Sequence, residues 1–321
     1  MEIGVNYLTQ GDFRHARDMG CKWAYVDFRW DWIQPEPGVF IFDRFDSAVK
    51  EAEDAGLLVI GAIATLRAMF PDKHWCWRNA RGMMPDLPAW RHYLEVLTKR
   101  YSSAIHHWEV WSEPNCRSCN PISYYDPGWY LELLALASQI IRRSDSSAQV
   151  VIGGLWPFTL TPYYLNALLS RQPKATEHFD IFNWHFYLMT RTRESIPFCS
   201  WKPKIESWIE LFRSRLPEGR PIWMTEFGLP TAAADSDTLV SGTLGRICGL
   251  TEGEQAEWFS EFAQAAREEW DLGTLVFWRL QDREDPKHSY ASSLGLLRTD
   301  GSAKPIVECL RQFAVERSTS D

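Results

Sequence analysis

Short apolar runs alternate with amphipathic stretches along the whole chain. The runs are rich in β-branched and aromatic residues, and several are apolar throughout, which is typical of parallel strands that are covered on both faces. We therefore predict eight strands, at residues 3–7, 23–28, 57–64, 107–111, 150–153, 181–185, 222–226 and 274–278.

Between these runs, apolar residues recur at the spacing of a helix with one buried face. We predict helices at residues 12–19, 44–55, 88–101, 127–143, 163–171, 204–216, 251–269 and 304–313. Two of their starts carry capping signals. Asp126 precedes a proline at the first helical position, and Thr251 with Glu254 fits a capping box. The small-residue stretch 231–249 is expected to be a long loop after the seventh strand.

Eight strands that are each followed by a helix predict an α/β fold. It would be a single (β/α)8 TIM barrel over residues 1–321, without a separate accessory domain. The structural alternative is a doubly wound open sheet. Such sheets usually carry a glycine-rich phosphate loop after the first strand, and the sequence has none there. The barrel is therefore the better interpretation.

Composition narrows the possible partners. The 321 residues include 34 Lys and Arg against 42 Asp and Glu, which gives a net charge of −8 and disfavours nucleic acid and anionic membranes as partners. The longest apolar run, residues 57–66, is shorter than the roughly 20 residues that span a bilayer. No signal peptide precedes the first predicted strand, so we expect a cytoplasmic protein, or a secreted one that has lost its signal peptide. The oligomeric state is not predictable from the sequence.

Two glutamates stand at the ends of predicted strands. Glu113 follows the fourth strand and Glu226 ends the seventh, and these strands face each other across the barrel mouth, where active sites of this fold lie. A single glutamate at a strand end is more often a solvated or ion-paired group. A pair that flanks a sugar is what cleavage of a glycosidic bond requires, because one carboxyl protonates the leaving oxygen and the other attacks or activates water. The 17 tryptophans fit this idea as platforms for sugar rings, although core packing accounts for part of them.

The residues around both glutamates resemble a known enzyme clan. The segment WEVWSEPN at 108–115 resembles the W-E-x-W-N-E-P motif of clan A glycoside hydrolases, and WMTEFGLP at 223–230 resembles the clan's strand-seven motif. The similarity is greatest to family 39 and its relatives. Further matching segments lie at 30–46, 179–187, 251–256, 277–282 and 294–305, so the resemblance covers nearly the whole chain.

This resemblance implies a retaining hydrolase of β-linked sugars, with Glu113 as the acid/base and Glu226 as the nucleophile. Retention predicts carboxyl groups about 5–5.5 Å apart, against about 6.5–9.5 Å for inversion. The implied substrate-binding residues are Arg29, Trp111, Ser112, His185, Tyr187 and Trp278. For the aromatic residues and the histidine, ordinary barrel packing is the competing interpretation. Asp27 shares a strand face with Arg29 and is expected near the mouth.

Two positions depart from the clan's pattern. Ser112 stands where relatives usually carry the asparagine that binds the sugar 2-hydroxyl, and Tyr25 stands where they often carry arginine. These departures put the identity of the sugar in doubt more than the reaction. They also motivate an alternative of another class, a carbohydrate-binding protein without turnover.

The mode of cleavage is open at this point. The family 39 β-xylosidases carry an additional β-sandwich, and a bare barrel leaves an open cleft more easily, so we favour endo-action on a polysaccharide or glycoconjugate. An exo-acting β-xylosidase or β-glucosidase is the alternative. A metal-dependent hydrolase is disfavoured, because no histidine and carboxylate ligands with a recognisable spacing appear.

Cysteines and loop aromatics give two further hypotheses. No cofactor is required, but the seven cysteines include four expected on the active-site face, which could hold a structural zinc ion: Cys76, Cys116, Cys119 and Cys199. Free thiols or one local disulfide are the alternative. Candidate sugar-stacking residues in the predicted loops are Trp75, Trp77, Tyr124, Tyr125, Trp156 and Trp201.

Overall fold

A computed structural model describes residues 1–64, 86–117, 120–156, 161–171, 174–232, 238–241, 245–285 and 287–318. Its strands are β1 Glu2–Val5, β2 Trp23–Arg29, β3 Leu58–Ala64, β4 His107–Val110, β5 Gln149–Ile152, β6 Phe182–Tyr187, β7 Ile222–Gly228, β8 Thr238–Ser241, β9 Gly245–Cys248, β10 Thr274–Phe277, β11 Arg279–Gln281 and β12 Gly295–Leu297.

Eight of these strands form one parallel sheet, in the order β5-β4-β3-β2-β1-β10-β7-β6. The two ends of this order meet through a parallel bridge between Val151 and Ile181, where the amide of Ile152 donates to the Ile181 carbonyl at 3.1 Å. The sheet therefore closes on itself, and the predicted (β/α)8 barrel is confirmed.

Helices surround the barrel, and eight of the α-helices among the described residues overlap the predicted segments. Two short α-helices, Trp30–Ile33 and Pro121–Tyr125, lie outside these segments, and the helix predicted at 204–216 begins six residues earlier. The helices are α1 Asp12–Asp18, α2 Trp30–Ile33, α3 Asp43–Asp54, α4 Leu87–Tyr101, α5 Pro121–Tyr125, α6 Pro127–Ser144, α7 Thr161–Leu169, α8 Phe198–Arg215, α9 Glu252–Glu268 and α10 Ile306–Ser318. Both predicted caps are present. Asp126 accepts from the amide of Gly128 at 3.0 Å, and Thr251 and Glu254 bond each other's backbone amides at 3.2 and 2.7 Å. Within the described part of the chain, none of the helices combines the length and apolarity needed to cross a bilayer.

The expected loop 231–249 is wrong in part, because it contains the antiparallel pair β8 and β9. The two short strands bury one apolar side chain each, Leu239 and the residue opposite it, Ile247. Alternation over so few residues is a weak signal in a sequence, and the small flanking residues conceal it.

The barrel interior is packed beneath its mouth. Apolar side chains from several strands form a buried cluster there, and the rings of Trp23, His107 and Trp223 lie against one another with centroids 4.8 to 5.3 Å apart. The larger core lies between the sheet and the helices. With its lower end filled by aromatic rings, the barrel presents its polar groups at the carboxyl ends of the strands.

Candidate active site

The two predicted glutamates and a histidine meet at the barrel mouth. His185, on β6, is fully buried, and its Nδ1 lies 3.0 Å from Glu113 Oε1 and 3.4 Å from Glu226 Oε2. One carboxylate oxygen of each glutamate and a histidine nitrogen all lie within 4.8 Å of one another. The tertiary fold thus brings together residues that are separated by more than forty positions in sequence.

Glu113 is carried by a loop beyond the end of β4. Its backbone has a φ of 45°, and Trp111 two residues earlier has a φ of 74°, a left-handed conformation that is uncommon for residues other than glycine. Asn120 fixes this turn: its amide donates to the carbonyls of Ser112 and Glu113 at 2.8 Å each, and its Oδ1 accepts from Trp111 Nε1 at 2.9 Å. The backbone that carries the Glu113 carboxyl is therefore held in part by one buried asparagine.

The contact of Trp111 with a sugar stays a prediction, and the structure holds most of this side chain in the core. Strand alternation would place it beside Glu113, but β4 ends at Val110 and the left-handed turn directs the indole outward. Trp111 is 1% exposed and packs edge-on against Trp90 and Trp129. Its role is to anchor the loop, through the core and through its bond to Asn120. Ser112, its neighbour, is partly exposed, and its contact with a sugar stays a prediction.

The pKa of Glu226 depends on its burial, on neighbouring charges and on one hydrogen bond. Burial raises its pKa to about 7, as does the neighbouring Glu113, while His185 and a hydrogen bond from the Tyr187 hydroxyl act in the opposite direction. Burial also lowers the pKa of His185, so this imidazole is neutral near pH 7. Because its Nδ1 faces two carboxyl groups, that nitrogen carries the proton.

Glu109, which the sequence reasoning did not single out, lies directly beneath this centre. It is fully buried, its Oε1 accepts from the Gly154 amide at 3.2 Å, and the same oxygen is 3.9 Å from His185 Nε2. Burial raises its pKa to about 8, so the carboxyl is largely protonated at pH 7. The available signal was its place in a buried strand, two residues after an inward-facing position.

Gly154 is the point where these groups meet. Its amide donates to Glu109, and its carbonyl accepts from the amide of Glu113 at 3.0 Å. A β-carbon at this position would lie 1.9 Å from His185 Nε2. Because the histidine ring occupies the space of a side chain, only glycine fits here.

The remaining predicted substrate-binding residues lie on two sides of Glu226. Tyr187 donates to Glu226, and its ring is 6.2 Å from that of Trp278. Arg29 forms a bidentate ion pair with Asp31, with contacts of 2.7 and 3.3 Å, instead of pairing with either glutamate. These three positions stay predictions as sugar contacts.

Tyr25 fills the place where relatives often carry arginine. It is buried inside the barrel, and its phenol lies in the electrostatic surroundings of Glu109, Glu226 and Asp27, which together with burial raise its pKa well above the usual value. This tyrosine is therefore a neutral hydrogen-bonding group beneath the site, where an arginine would bring a positive charge.

The zinc hypothesis stays a prediction. Cys116 is buried and Cys199 is exposed, whereas Cys76 and Cys119 lie outside the described residues. Of the candidate stacking aromatics, Trp75 and Trp77 also lie outside them. Trp156 packs against Tyr187 at 5.7 Å beside the site, and Trp201 donates to the Ser195 carbonyl at 2.7 Å.

Comparisons with known proteins show what the chain is similar to. A family model described as beta-galactosidase, that of glycoside hydrolase family 42, matches residues 4–86. No curated protein sequence matches the chain. A family 39 glycoside hydrolase from Bacteroides cellulosilyticus WH2 is 18% identical with a TM-score of 0.70, over 98% of this chain and 63% of that one.

Two further solved structures are similar. A β-galactosidase from Halorubrum lacusprofundi is 16% identical with a TM-score of 0.71, over 100% of this chain and 58% of that one. Xylanase 10B from Thermotoga petrophila RKU-1, in complex with xylobiose, is 14% identical with a TM-score of 0.66, over 98% of this chain and 94% of that one.

The chain spans less than two thirds of the length of the family 39 hydrolase and the β-galactosidase. At these identities, the solved structures establish the fold. Together with the family model, they confirm the resemblance to clan A glycoside hydrolases, a class of enzymes, that the two glutamate motifs predicted.

Proposed function

We propose that the protein is a retaining glycoside hydrolase that cleaves β-linked sugars by double displacement. The observation that carries this proposal is the meeting of Glu113, Glu226 and His185 within 4.8 Å at the mouth of the barrel. Carboxyl groups about 5–5.5 Å apart leave no room for an attacking water between sugar and base, which inversion would need at about 6.5–9.5 Å. One oxygen of Glu113 lies within 4.8 Å of one oxygen of Glu226, which fits the shorter spacing and supports a covalent glycosyl-enzyme intermediate.

In the first step, Glu226 attacks the anomeric carbon while Glu113 gives its proton to the leaving oxygen. In the second step, Glu113 takes a proton from water, which then displaces Glu226 from the sugar with net retention. His185 contributes by position: its Nδ1 proton lies between the two carboxyl groups and stabilises whichever of them is ionised. The buried, largely protonated Glu109 beneath it adds no second negative charge to the site.

The substrate is a β-linked oligosaccharide, polysaccharide or glycoconjugate, and we favour endo-action. The xylanase among the similar structures supports this. The β-galactosidase supports the exo-acting alternative, a β-xylosidase or β-glucosidase. A carbohydrate-binding protein without turnover is the alternative of another class, motivated by Ser112 and Tyr25.

The test is hydrolysis of a panel of aryl β- and α-glycosides and β-linked polysaccharides, with the anomeric configuration of the first product followed by NMR. We expect turnover of β-glycosides with a β-configured initial product. An α-configured initial product would contradict retention. Binding of sugars without turnover across the panel would favour the carbohydrate-binding alternative.

A second prediction concerns the pH dependence of activity and the hydrogen bond from Tyr187 to Glu226. The nucleophile must be ionised, so kcat/KM should rise with pH through the pKa of Glu226, about 7. The Tyr187 hydroxyl stabilises the carboxylate and lowers this pKa, so Tyr187→Phe should move the rising limb to higher pH, by about one unit. The measurement is kcat/KM from pH 4 to 9 for both proteins.

The matched control is Tyr164→Phe, which removes a buried tyrosine hydroxyl bonded to Ser123 on the outer helices. This variant should leave the rising limb where it is in the wild type. A Tyr187→Phe limb that stays in place, or moves to lower pH, would show that Glu226 does not set it.

A further inference from the structure

A deep cavity adjoins the catalytic centre on the side of β1 and β2. It has a volume of about 580 Å³ and runs from Tyr25, inside the barrel, past Tyr7 at the end of β1, towards helix α3. Such a volume lies in the range of small-molecule sites. Three arginines line this cavity, and we therefore call it the arginine cavity. The proposed chemistry does not use the residues of its outer lining.

The three arginines differ in their partners. Arg29 is neutralised by its ion pair with Asp31. Among the described residues, Arg44 and Arg283 form no ion pair and no side-chain hydrogen bond. Arg44 lies over the Trp32 ring at 4.4 Å, and Arg283 lies over the Tyr7 ring at 5.7 Å. Two guanidinium groups are thus available to an anion inside one cavity.

A fourth guanidinium stands behind Tyr7. Arg279 is 5% exposed, its Nε and Nη1 have no hydrogen-bond partner within the described part of the chain, and its guanidinium carbon lies 5.3 Å from the Tyr7 ring. Burial and the nearby Arg283 lower its pKa. Asp282 acts on Arg279 in the opposite direction, but it is already paired with Lys304 at 2.7 Å, so an anion bound near Arg279 and Arg283 would reduce their mutual repulsion.

Two acidic residues that the structure describes, Asp27 and Glu51, also line the cavity, and neither forms an ion pair with Arg44 or Arg283. Glu51 accepts from the Gly11 amide at 2.7 Å. Asp27 has a buried Oδ1 without a hydrogen-bond partner among the described residues, and burial raises its pKa to about 7, although the positive charges of Arg29 and Arg44 act in the opposite direction. A buried oxygen without a hydrogen-bond partner lowers the stability of the folded protein, and a ligand hydroxyl that donates to it would remove this cost. Asp27 is therefore suited to accept a hydrogen bond from a ligand hydroxyl, while the arginines are suited to bind an anionic group.

We propose that the arginine cavity binds an acidic sugar of the substrate, with a carboxylate or sulfate paired to Arg44 and Arg283 and a ring hydroxyl bonded to Asp27. The inference rests on the proposed function, because it names the substrate class of the same cleft. Trp32, which is 41% exposed at the rim, carries the guanidinium groups of Arg29 and Arg44 over its ring at 4.0 and 4.4 Å, and so holds Arg44 at the cavity. A ligand that combines hydroxyls with one anionic group matches all of these features, whereas a neutral sugar leaves both guanidiniums unpaired.

The experiment measures binding separately from turnover. The inactive Glu226→Gln protein is titrated calorimetrically with β-linked oligosaccharides of equal length that are neutral, carry a terminal uronic acid, or carry a sulfate. We expect an acidic ligand to bind about 10-fold or more tightly than the neutral one, as one charge-assisted hydrogen bond would give. The preference should shrink as salt is raised. Comparison of the uronic acid and sulfate arms identifies the anion.

Two variants test whether Arg44 and Arg283 bind the anionic group, and a third variant controls for the loss of a positive charge. Arg44→Gln and Arg283→Gln, in the same background, should each weaken binding of the acidic ligand about 10-fold and leave the neutral ligand unchanged. Arg143→Gln removes an exposed arginine on α6 and should change neither. Equal affinity for acidic and neutral ligands, or equal losses for both in the arginine variants, would overturn the inference.

The two proposals fail in distinguishable ways. If the wild type hydrolyses neutral glycosides and the acidic preference is absent, the acidic-sugar site is wrong and the hydrolase stands. If acidic ligands bind preferentially through Arg44 and Arg283 but no glycoside is turned over, the site stands and the hydrolase is wrong.

Discussion

Replacing Glu226 with alanine should reduce kcat by at least about 10⁴-fold on every glycoside that the wild type cleaves, since loss of a covalent nucleophile removes the main pathway. Glu226 is a barrel-strand residue with a fixed partner, the Tyr187 hydroxyl, so the shorter side chain leaves a defined gap beneath the anomeric carbon. Steady-state kinetics on an aryl β-glycoside measures this loss.

A small external anion supplies the diagnostic readout. Azide should enter the gap in Glu226→Ala and attack the anomeric carbon directly, giving a glycosyl azide of inverted, α, configuration. Glu210→Ala, on the exposed side of α8, is the matched control and should keep wild-type kinetics. Wild-type activity in Glu226→Ala, or a β-azide product from it, would contradict the assignment of the nucleophile.

Glu113→Ala should separate substrates by their leaving groups. Poor leaving groups such as a second sugar need protonation, so their cleavage should slow by about 10²–10⁴-fold, the usual contribution of a general acid. An activated aryl leaving group needs little protonation and should lose least. The measurement compares kcat/KM for a series of aryl β-glycosides whose phenols differ in pKa, together with one disaccharide.

Azide again identifies the role. In Glu113→Ala the glycosyl-enzyme on Glu226 still forms, and azide should displace it without base assistance, giving a β-configured azide. An equal loss for all leaving groups would be inconsistent with an acid/base role for Glu113. The pair of azide products, α from one variant and β from the other, assigns both glutamates without reference to any relative.

The barrel was predictable because its signals are local. Apolar runs and the capping signals at Asp126 and Thr251 need only a few neighbouring residues, and the structure has both caps. The direction of Trp111 was not predictable, because alternation holds only while a strand continues, and two left-handed residues interrupt it.

The candidate site was predictable only in part, for a related reason. Glu113 and Glu226 stand in recognisable motifs, whereas the significance of Glu109 depends on Gly154 and His185, which reach it from other strands. The arginine cavity is assembled from side chains as far apart in sequence as Arg44 and Arg283. Without the fold, no spacing in the sequence relates them.

One of the two proposed catalytic glutamates lies on a barrel strand and the other on a loop, and this difference affects how the protein is expected to lose activity on heating. Glu226 belongs to a barrel strand, whose bonds open with the fold as a whole, whereas Glu113 depends on a loop that Asn120 secures. On warming, we expect this loop to loosen at temperatures where the barrel is still intact. Cleavage of natural linkages would then fail first, while activated substrates continue to react, so the upper working temperature of the protein would be set by the few bonds that hold this loop and not by its barrel.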